Sequence, residues 1–445
     1  MSSPEFTNLL ALYQQTLTAG VLEYFQKQAK LKIRRGVYCA QVVLWLMMLQ
    51  RLHRVGTLSA AVQLLLQGAA GPLLQDCRRV RQRRISARTG GFSQARRRLP
   101  AVLCRQVSRE ITEQLRQMVG PSAGNAARAY LLDGSSIELE HSRELVDRYP
   151  PAQNQYGRSH WPVLRIVVLH ELDSGLAEEP QWGPMYGPQA ESEQALAEKG
   201  MDRLPAYAVI VGDRNFGVLW VAYAAHQRSL GAVLRLTEAR ARKLWGGPIA
   251  QEGERAVTWM ASRWDGGKHH RLRAGAAVAG RLIAVRVGRG KSKQWLYLFS
   301  TLDWPVEKIV ALYGKRWNIE TDLRSLKRTV RLHHMAVKSE AMLEKELLMA
   351  VCAYNLVRAV MSLAARTRSL DPRQLSFAMV LNVVDCAWPN LVGAGSASDF
   401  EREFQRVLTI AAQCTLPKRK RQRSYPRMLH RRRPGFPFRK EGKTK

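Results

Sequence analysis

Four apolar, strand-like runs constrain this chain more than any other feature: Ala129–Leu139, Val163–Leu172, Ala206–Asp213 and Gly231–Leu236. Between them, Ser192–Arg203 and Val218–Arg228 carry helical spacing. Strands with intervening helices predict an α/β layered architecture with a mixed sheet. Two of the runs reach an aspartate. AYLLDGSSIEL contains Asp133, followed by Gly134, and AYAVIVGD ends on Asp213. Strand ends of open α/β sheets are where ligands gather, so both aspartates are candidate ligands for a cation. An Asp beside a Gly also serves as a plain turn residue, and either aspartate alone is open to that reading.

The flanks differ in character. Apolar residues at helical spacing recur through Thr7–Lys32, Val37–His53, Thr57–Leu66 and Pro100–Val119, so the first 120 residues are expected to be all-helical. Residues 238–301 lose the helical pattern. Ala256–Arg263, Leu282–Val287 and Trp295–Phe299 predict a β-rich insertion, with a turn at Asp265-Gly266-Gly267. Beyond it, Glu340–Arg366 and Gln374–Ala387 are predicted to be buried helices. The domain plan is therefore 1–120 helical, 125–237 with 302–415 as the α/β domain, 238–301 as its insertion, and 417–445 as a tail.

Charge narrows the partners. The chain has 445 residues, 70 Lys and Arg against 36 Asp and Glu, and a net charge of +34. A surplus of that size points to a polyanion, most simply nucleic acid. It is clustered: Cys77–Leu99 has no acid and carries Arg78, Arg79, Arg81, Arg83, Arg84, Arg88, Arg96, Arg97 and Arg98. Phosphate contact is expected from this run, a solvated loop being the alternative. The tail from Lys418 to Lys445 has 13 basic residues and one acid, Glu441, and is expected to be a disordered extension lying along DNA.

Other classes are disfavoured. The six cysteines, at 39, 77, 104, 352, 386 and 414, have no zinc spacing and read as reduced residues, mostly in the core. His269-His270 and His333-His334 read as exposed pairs. Val42–Leu49 is too short to span a bilayer, and Leu347–Ala365 is interrupted by Asn355 and Arg358, so no membrane partner is expected. Gly290-Lys291-Ser292 mimics the end of a P-loop, but the first glycine of that motif would fall on Val285.

The densest chemistry lies in Tyr313–Lys327, YGKRWNIETDLRSLK. Tyr313, Arg316, Glu320 and Lys327 stand at offsets 0, 3, 7 and 14. On a continuous helix they project within roughly 60° of one another. One carboxylate would share a stripe with a phenol, a guanidinium and an ammonium, all donors to phosphate. An exposed helix with an Arg316–Glu320 ion pair gives the same residues a plainer explanation.

The spacing Y-x2-R-x3-E-x6-K resembles the YREK signature of IS4-type DDE transposases, including Arg316-Trp317 and Ile319-Glu320. LLDG at Asp133 and VGDRNFG at Asp213 resemble the first and second carboxylate motifs of that family. FSQARRRLP (92–100) and YPPAQNQYGRSHW (149–161) are also similar to family segments. The resemblance covers roughly residues 90–330 and implies an RNase H-like (retroviral-integrase-like) core preceded by a helical DNA-binding domain. It further implies that Asp133, Asp213 and Glu320 are the catalytic metal ligands, for two Mg²⁺ ions that Mn²⁺ can replace. Tyr313, Arg316, Trp317 and Lys327 would contact DNA. The partner would be double-stranded DNA, as element ends and as target, bound by a homodimer in the bacterial cytoplasm at the nucleoid. In related enzymes a β-rich insertion grips a hairpin; Trp245, Trp259, Trp264 and Trp295 could stack on a flipped base, or simply be core. A DNA nuclease without strand transfer and a non-enzymatic nucleic-acid-binding protein are the alternative functions.

Overall fold

The computed structural model describes residues 9–32, 36–53, 56–82, 84–120, 128–155, 157–262, 272, 275–288, 293–332, 335–393 and 397–417. The tail from Lys418, the Asp265-Gly266-Gly267 turn, Trp264, Arg83 and the two His pairs lie outside them.

The strands are β1 (Ala129–Glu138), β2 (Pro151–Asn154), β3 (Gly157–Glu171), β4 (Gln181–Pro184), β5 (Val209–Gly212), β6 (Gly231–Arg235), β7 (Gly253–Met260), β8 (Ala277–Val287) and β9 (Gln294–Ser300). Near-continuous apolar runs bury both faces of the central strands β5 and β6 and of the first half of β1, whereas β7 and the start of β3 are largely exposed. They form one sheet in the order β2-β3-β1-β5-β6-β9-β8-β7, with β4 also on β3. β4, β3 and β1 run antiparallel in succession, and β1, β5 and β6 run parallel. The parallel connections pass through helices Glu193–Met201 and Leu219–His226. An antiparallel meander followed by two parallel crossovers is the RNase H-like topology that the sequence led us to expect.

Leu131, Ile137, Ile166, Val168, Val209, Val211 and Val233 point to one apolar layer. Tyr130, Leu132, Val167, Leu169, Ile210, Ala232 and Leu234 point to the other, under helices Glu193–Met201, Leu219–His226 and Glu238–Trp245. The first layer is filled by Glu340–Arg366, a helix of 27 residues capped by Ser339. That helix is long and apolar enough to cross a membrane, yet 94% of its most apolar window is buried inside the protein. Its interrupting polar residues have partners, as buried polar groups require. Asn355 accepts from the Ala177 amide at 2.8 Å and donates to the Ala177 carbonyl at 2.8 Å.

Residues 9–119 are helical, with no strand among the described residues. Helices Ala40–Leu52 and Ala101–Val119 pack on Glu340–Arg366, so their apolar interior is continuous with one face of the sheet. Within this region Arg96 pairs with buried Glu346, whose other oxygen takes Arg51 at 2.6 Å. Phosphate contact was expected of the whole arginine run; for Arg96 the structure replaces it with an internal pair. The strands of 238–301 are also not set apart: β9 pairs with β6 and carries the main sheet outward through β8 and β7.

Candidate active site

The parallel register of β1 on β5 places Leu131 opposite Val211. β5 ends one residue later at Gly212, and Asp213 follows it within electrostatic reach of Asp133. Asp133 is not at a strand end, as the sequence suggested. β1 continues to Glu138, because its second half pairs with β3 alone, Asp133 lying opposite Val168. By alternation Asp133 shares the face of Leu131, the face on which Ile319, Leu323 and Leu326 are buried.

Burial and the neighbouring Asp213 push the Asp133 carboxyl up to about 6, against the opposing pull of the Gly134 amide and of Arg316. The Gly134 N–H donates to Asp133 Oδ1 at 2.9 Å. Asp213 Oδ1 accepts from the Asn215 N–H at 2.8 Å, closing the turn after β5. Two adjacent, partly dehydrated carboxylates repel each other and are relieved by a cation between them. As hard oxygen donors they suit Mg²⁺ or Mn²⁺.

Glu320 arrives from the helix Asn318–Arg324, which packs on β1. The single continuous helix expected through Tyr313–Lys327 is not formed. Val306–Gly314 is α-helical, Lys315–Trp317 is a 3₁₀ turn, Asn318–Arg324 is α-helical again, and Ser325–Thr329 is a π turn. A 3₁₀ turn advances about 120° per residue, so the uniform 100° stripe is lost. Side-chain anchors hold these changes of pitch: Ser325 donates back to the Thr321 carbonyl at 2.9 Å, and Lys327 donates to Ser135 Oγ at 2.8 Å and to the Ser136 carbonyl at 2.9 Å. Lys327 thereby ties the π turn to β1 just beyond Asp133.

Arg316 is buried and lies 3.7 Å from Glu320, within electrostatic reach of Asp133 as well. Its guanidinium covers Trp317 at 5.0 Å from the ring centroid, and Trp317 is itself 60% exposed. Arg316 Nε and the Tyr313 hydroxyl are buried with no hydrogen-bond partner among the described residues. The Arg316–Glu320 ion pair of the plainer reading does form, with Glu320 exposed but Arg316 buried rather than wet. Asp133 and Asp213 are brought together and Arg316 links them electrostatically to Glu320. Among the described residues, no three acidic, His or Cys side chains stand close enough to chelate an ion.

Of the insertion tryptophans, Trp259 is core and meets the Phe299 ring edge-on. Trp245 and Trp295 lie under Arg255 and Arg286, at 4.8 and 4.7 Å from their centroids.

Three residues of the site escaped the sequence reading. Asp322 is fully buried two positions after Glu320, bound by Arg358 and, at 2.6 Å, by Arg373. Burial alone would raise its carboxyl, but the two guanidiniums hold it below the usual range. Arg373 also donates to the Glu171 and Leu172 carbonyls, so the Glu320 helix is fastened to the end of β3. The available signal was a carboxylate between Ile319 and Leu323 on the inward face. Glu193 and Asn215 meet behind the aspartates; Glu193 carries no spacing signal, and Asn215 lies within VGDRNFG without having been singled out.

A profile of the family described as "Transposase DDE domain" matches residues 124–356. The chain is 25% identical to the transposase InsG for insertion sequence element IS4 of Escherichia coli (strain K12), over 76% of this chain and 76% of that protein. It also overlays the cryo-EM structure of the piggyBac transposase synaptic complex with hairpin DNA, at 9% identity and a TM-score of 0.45, covering 90% of this chain and 85% of that one. The profile spans the strands, the two aspartates and the whole Tyr313–Lys327 segment, and with it the chain belongs to the DDE transposases of the IS4 type.

Proposed function

We propose that this transposase cuts DNA at the ends of its insertion sequence and joins those ends to a target, as a cut-and-paste element requires, using Asp133, Asp213 and Glu320 to hold two Mg²⁺ ions. Mn²⁺ would substitute. The observation that carries the reading is the nearness of Asp133 and Asp213, where β5 ends beside β1, with the Glu320 helix packed on β1. When bound, the ions would activate the attacking oxygen and stabilise the leaving one. The protein's own groups do the rest. Asp133, desolvated and repelled by Asp213, favours a divalent cation over its own ionised, unpaired state. Arg316, 3.7 Å from Glu320 and within electrostatic reach of Asp133, is a resident cation, and the exposed Trp317 under its guanidinium offers a face to a DNA strand entering there, with Tyr313 on the same segment. Lys327 holds the π turn on β1 and presents its charge at the same end of the site. Two copies acting together on the two element ends, with the basic residues 418–445 along the phosphates, complete the proposal.

The test is incubation of the full-length protein with Mg²⁺ and DNA carrying its own element ends, scoring cleavage and joining separately. Asp133→Ala, Asp213→Ala and Glu320→Ala should each lose cleavage by more than about 100-fold while end binding persists. A variant that keeps more than about one per cent of the rate takes its residue out of the metal site.

A further inference from the structure

The back of the sheet behind Asp133 holds a carboxylate that the catalytic triad does not include. Glu193 opens the helix Glu193–Met201, whose N-cap Ser192 accepts from the Ala195 amide. That helix covers the face opposite to the one shared by Leu131 and Asp133, so Glu193 reaches the site from behind. Its carboxyl rests on Gly134. A Cβ at position 134 would come within 2.6 Å of Glu193 Oε1 and displace the carboxyl from where it rests. The other oxygen, Oε2, accepts from the Asn215 side-chain amide. Gln194 grips the same residue, donating to the Asn215 carbonyl at 2.7 Å and to its Oδ1 at 2.9 Å. Asn215 in turn donates its backbone N–H to Asp213. The chain of contacts thus runs from β1 at Gly134, through Glu193, to Asn215 and Asp213.

Asp213 has left the sheet, since β5 ends at Gly212, so no ladder hydrogen bond fixes its height. The turn Asp213–Phe216 has to be held by something else. We propose that Glu193 is a positioning residue for the metal site: by bracing Asn215 against β1 it fixes the Asp213 carboxylate beside Asp133. The inference rests on the proposed metal role of Asp133 and Asp213. Burial, together with nearby Asp213, pushes the Glu193 carboxyl above its usual value against the pull of Arg165, consistent with a place just behind the aspartate pair. Glu193 faces Gly134 across the sheet and is not itself a ligand.

The experiment compares Glu193→Ala, Glu193→Gln, Asn215→Ala and the double variant Glu193→Ala/Asn215→Ala, as full-length proteins, by cleavage rate against Mg²⁺ concentration. Glu193→Ala and Asn215→Ala should each raise the half-saturating Mg²⁺ concentration and slow cleavage by about tenfold or more, as loss of a ligand-orienting contact does. The double variant should be no worse than either single one, because both break one link. Glu193→Gln, whose amide oxygen still accepts from Asn215, should recover most of the rate. Normal Mg²⁺ dependence in Glu193→Ala overturns the proposal, including the case where only its melting temperature falls. Defects that multiply in the double variant overturn it too. Asp213→Ala run in parallel separates the two layers: cleavage surviving in it defeats the metal-site reading itself, whereas an inactive Asp213→Ala beside a normal Glu193→Ala defeats only the role of Glu193.

Discussion

Asp133→Asn should make the metal-free protein more stable, and the gain should depend on pH. The carboxyl of Asp133 moves from an ordinary 3.8 to about 6 on folding, first because it is buried and then because Asp213 is beside it. At about 1.4 kcal/mol per unit, ionising it in the folded state costs roughly 3 kcal/mol. Below about pH 4 the group is protonated both folded and unfolded, and the cost is absent. Between pH 4 and 6 the unfolded chain ionises first and the cost grows; above pH 6 it is complete. Asparagine is neutral throughout, and its Oδ1 can still accept from the Gly134 amide. Some residual hydration of the side chain lowers the expected gain to about 2 kcal/mol at pH 8. For a chain of 445 residues that is a rise of roughly 2 °C in Tm. Calorimetry in EDTA at pH 8 and pH 4.5 measures it. Mg²⁺ should reverse the ranking, since a cation bound only by the folded wild type adds about 2.7 kcal/mol at a hundred times its Kd. A variant no more stable than wild type at pH 8, or a gain unchanged at pH 4.5, would refute the account of Asp133 as a dehydrated carboxylate awaiting a cation.

Three further changes probe the supports of the site. Asp322→Asn leaves Arg358 and Arg373 facing a neutral amide in the interior, and should cost about 3–5 kcal/mol by denaturant titration; a loss under about 1 kcal/mol would mean the guanidiniums find other partners. Arg316→Ala should keep the fold by circular dichroism but cut single-turnover cleavage by about 100-fold, the effect of removing a preorganised donor; an unchanged rate would reduce Arg316 to a structural ion pair. Gly217→Ala puts a Cβ onto the Arg235 carbonyl oxygen of β6, a backbone group that cannot move aside, and should destabilise by at least about 2 kcal/mol in thermal unfolding.

The local chemistry of this protein is written in its sequence. The apolar, strand-like runs at 129–139, 163–172, 206–213 and 231–236 are where β1, β3, β5 and β6 lie. The short strands β2 and β4 were not anticipated. Each is four residues long, includes a proline and has no period of its own, so each is a strand only because β3 offers it an edge. The order Asp133, Asp213, Glu320 and the YREK spacing were legible because they reside in residue identity and count. Which carboxylates become neighbours was not. That depends on the register of β1 against β5, which nonlocal pairing sets and no single segment encodes. Periodicity could not foresee the breaks in the Glu320 helix either. It assumes one pitch, whereas the segment passes through a 3₁₀ turn and a π turn, the latter tied to β1 through Lys327. Glu193 is the clearest case: in sequence it is one acid in a polar helix start, and only the folding of that helix over Gly134 places it behind the aspartates. The chain therefore specified its reactive groups by itself, and the tertiary structure decided their mutual distances, because burial and hydrogen bonding act between segments far apart in sequence.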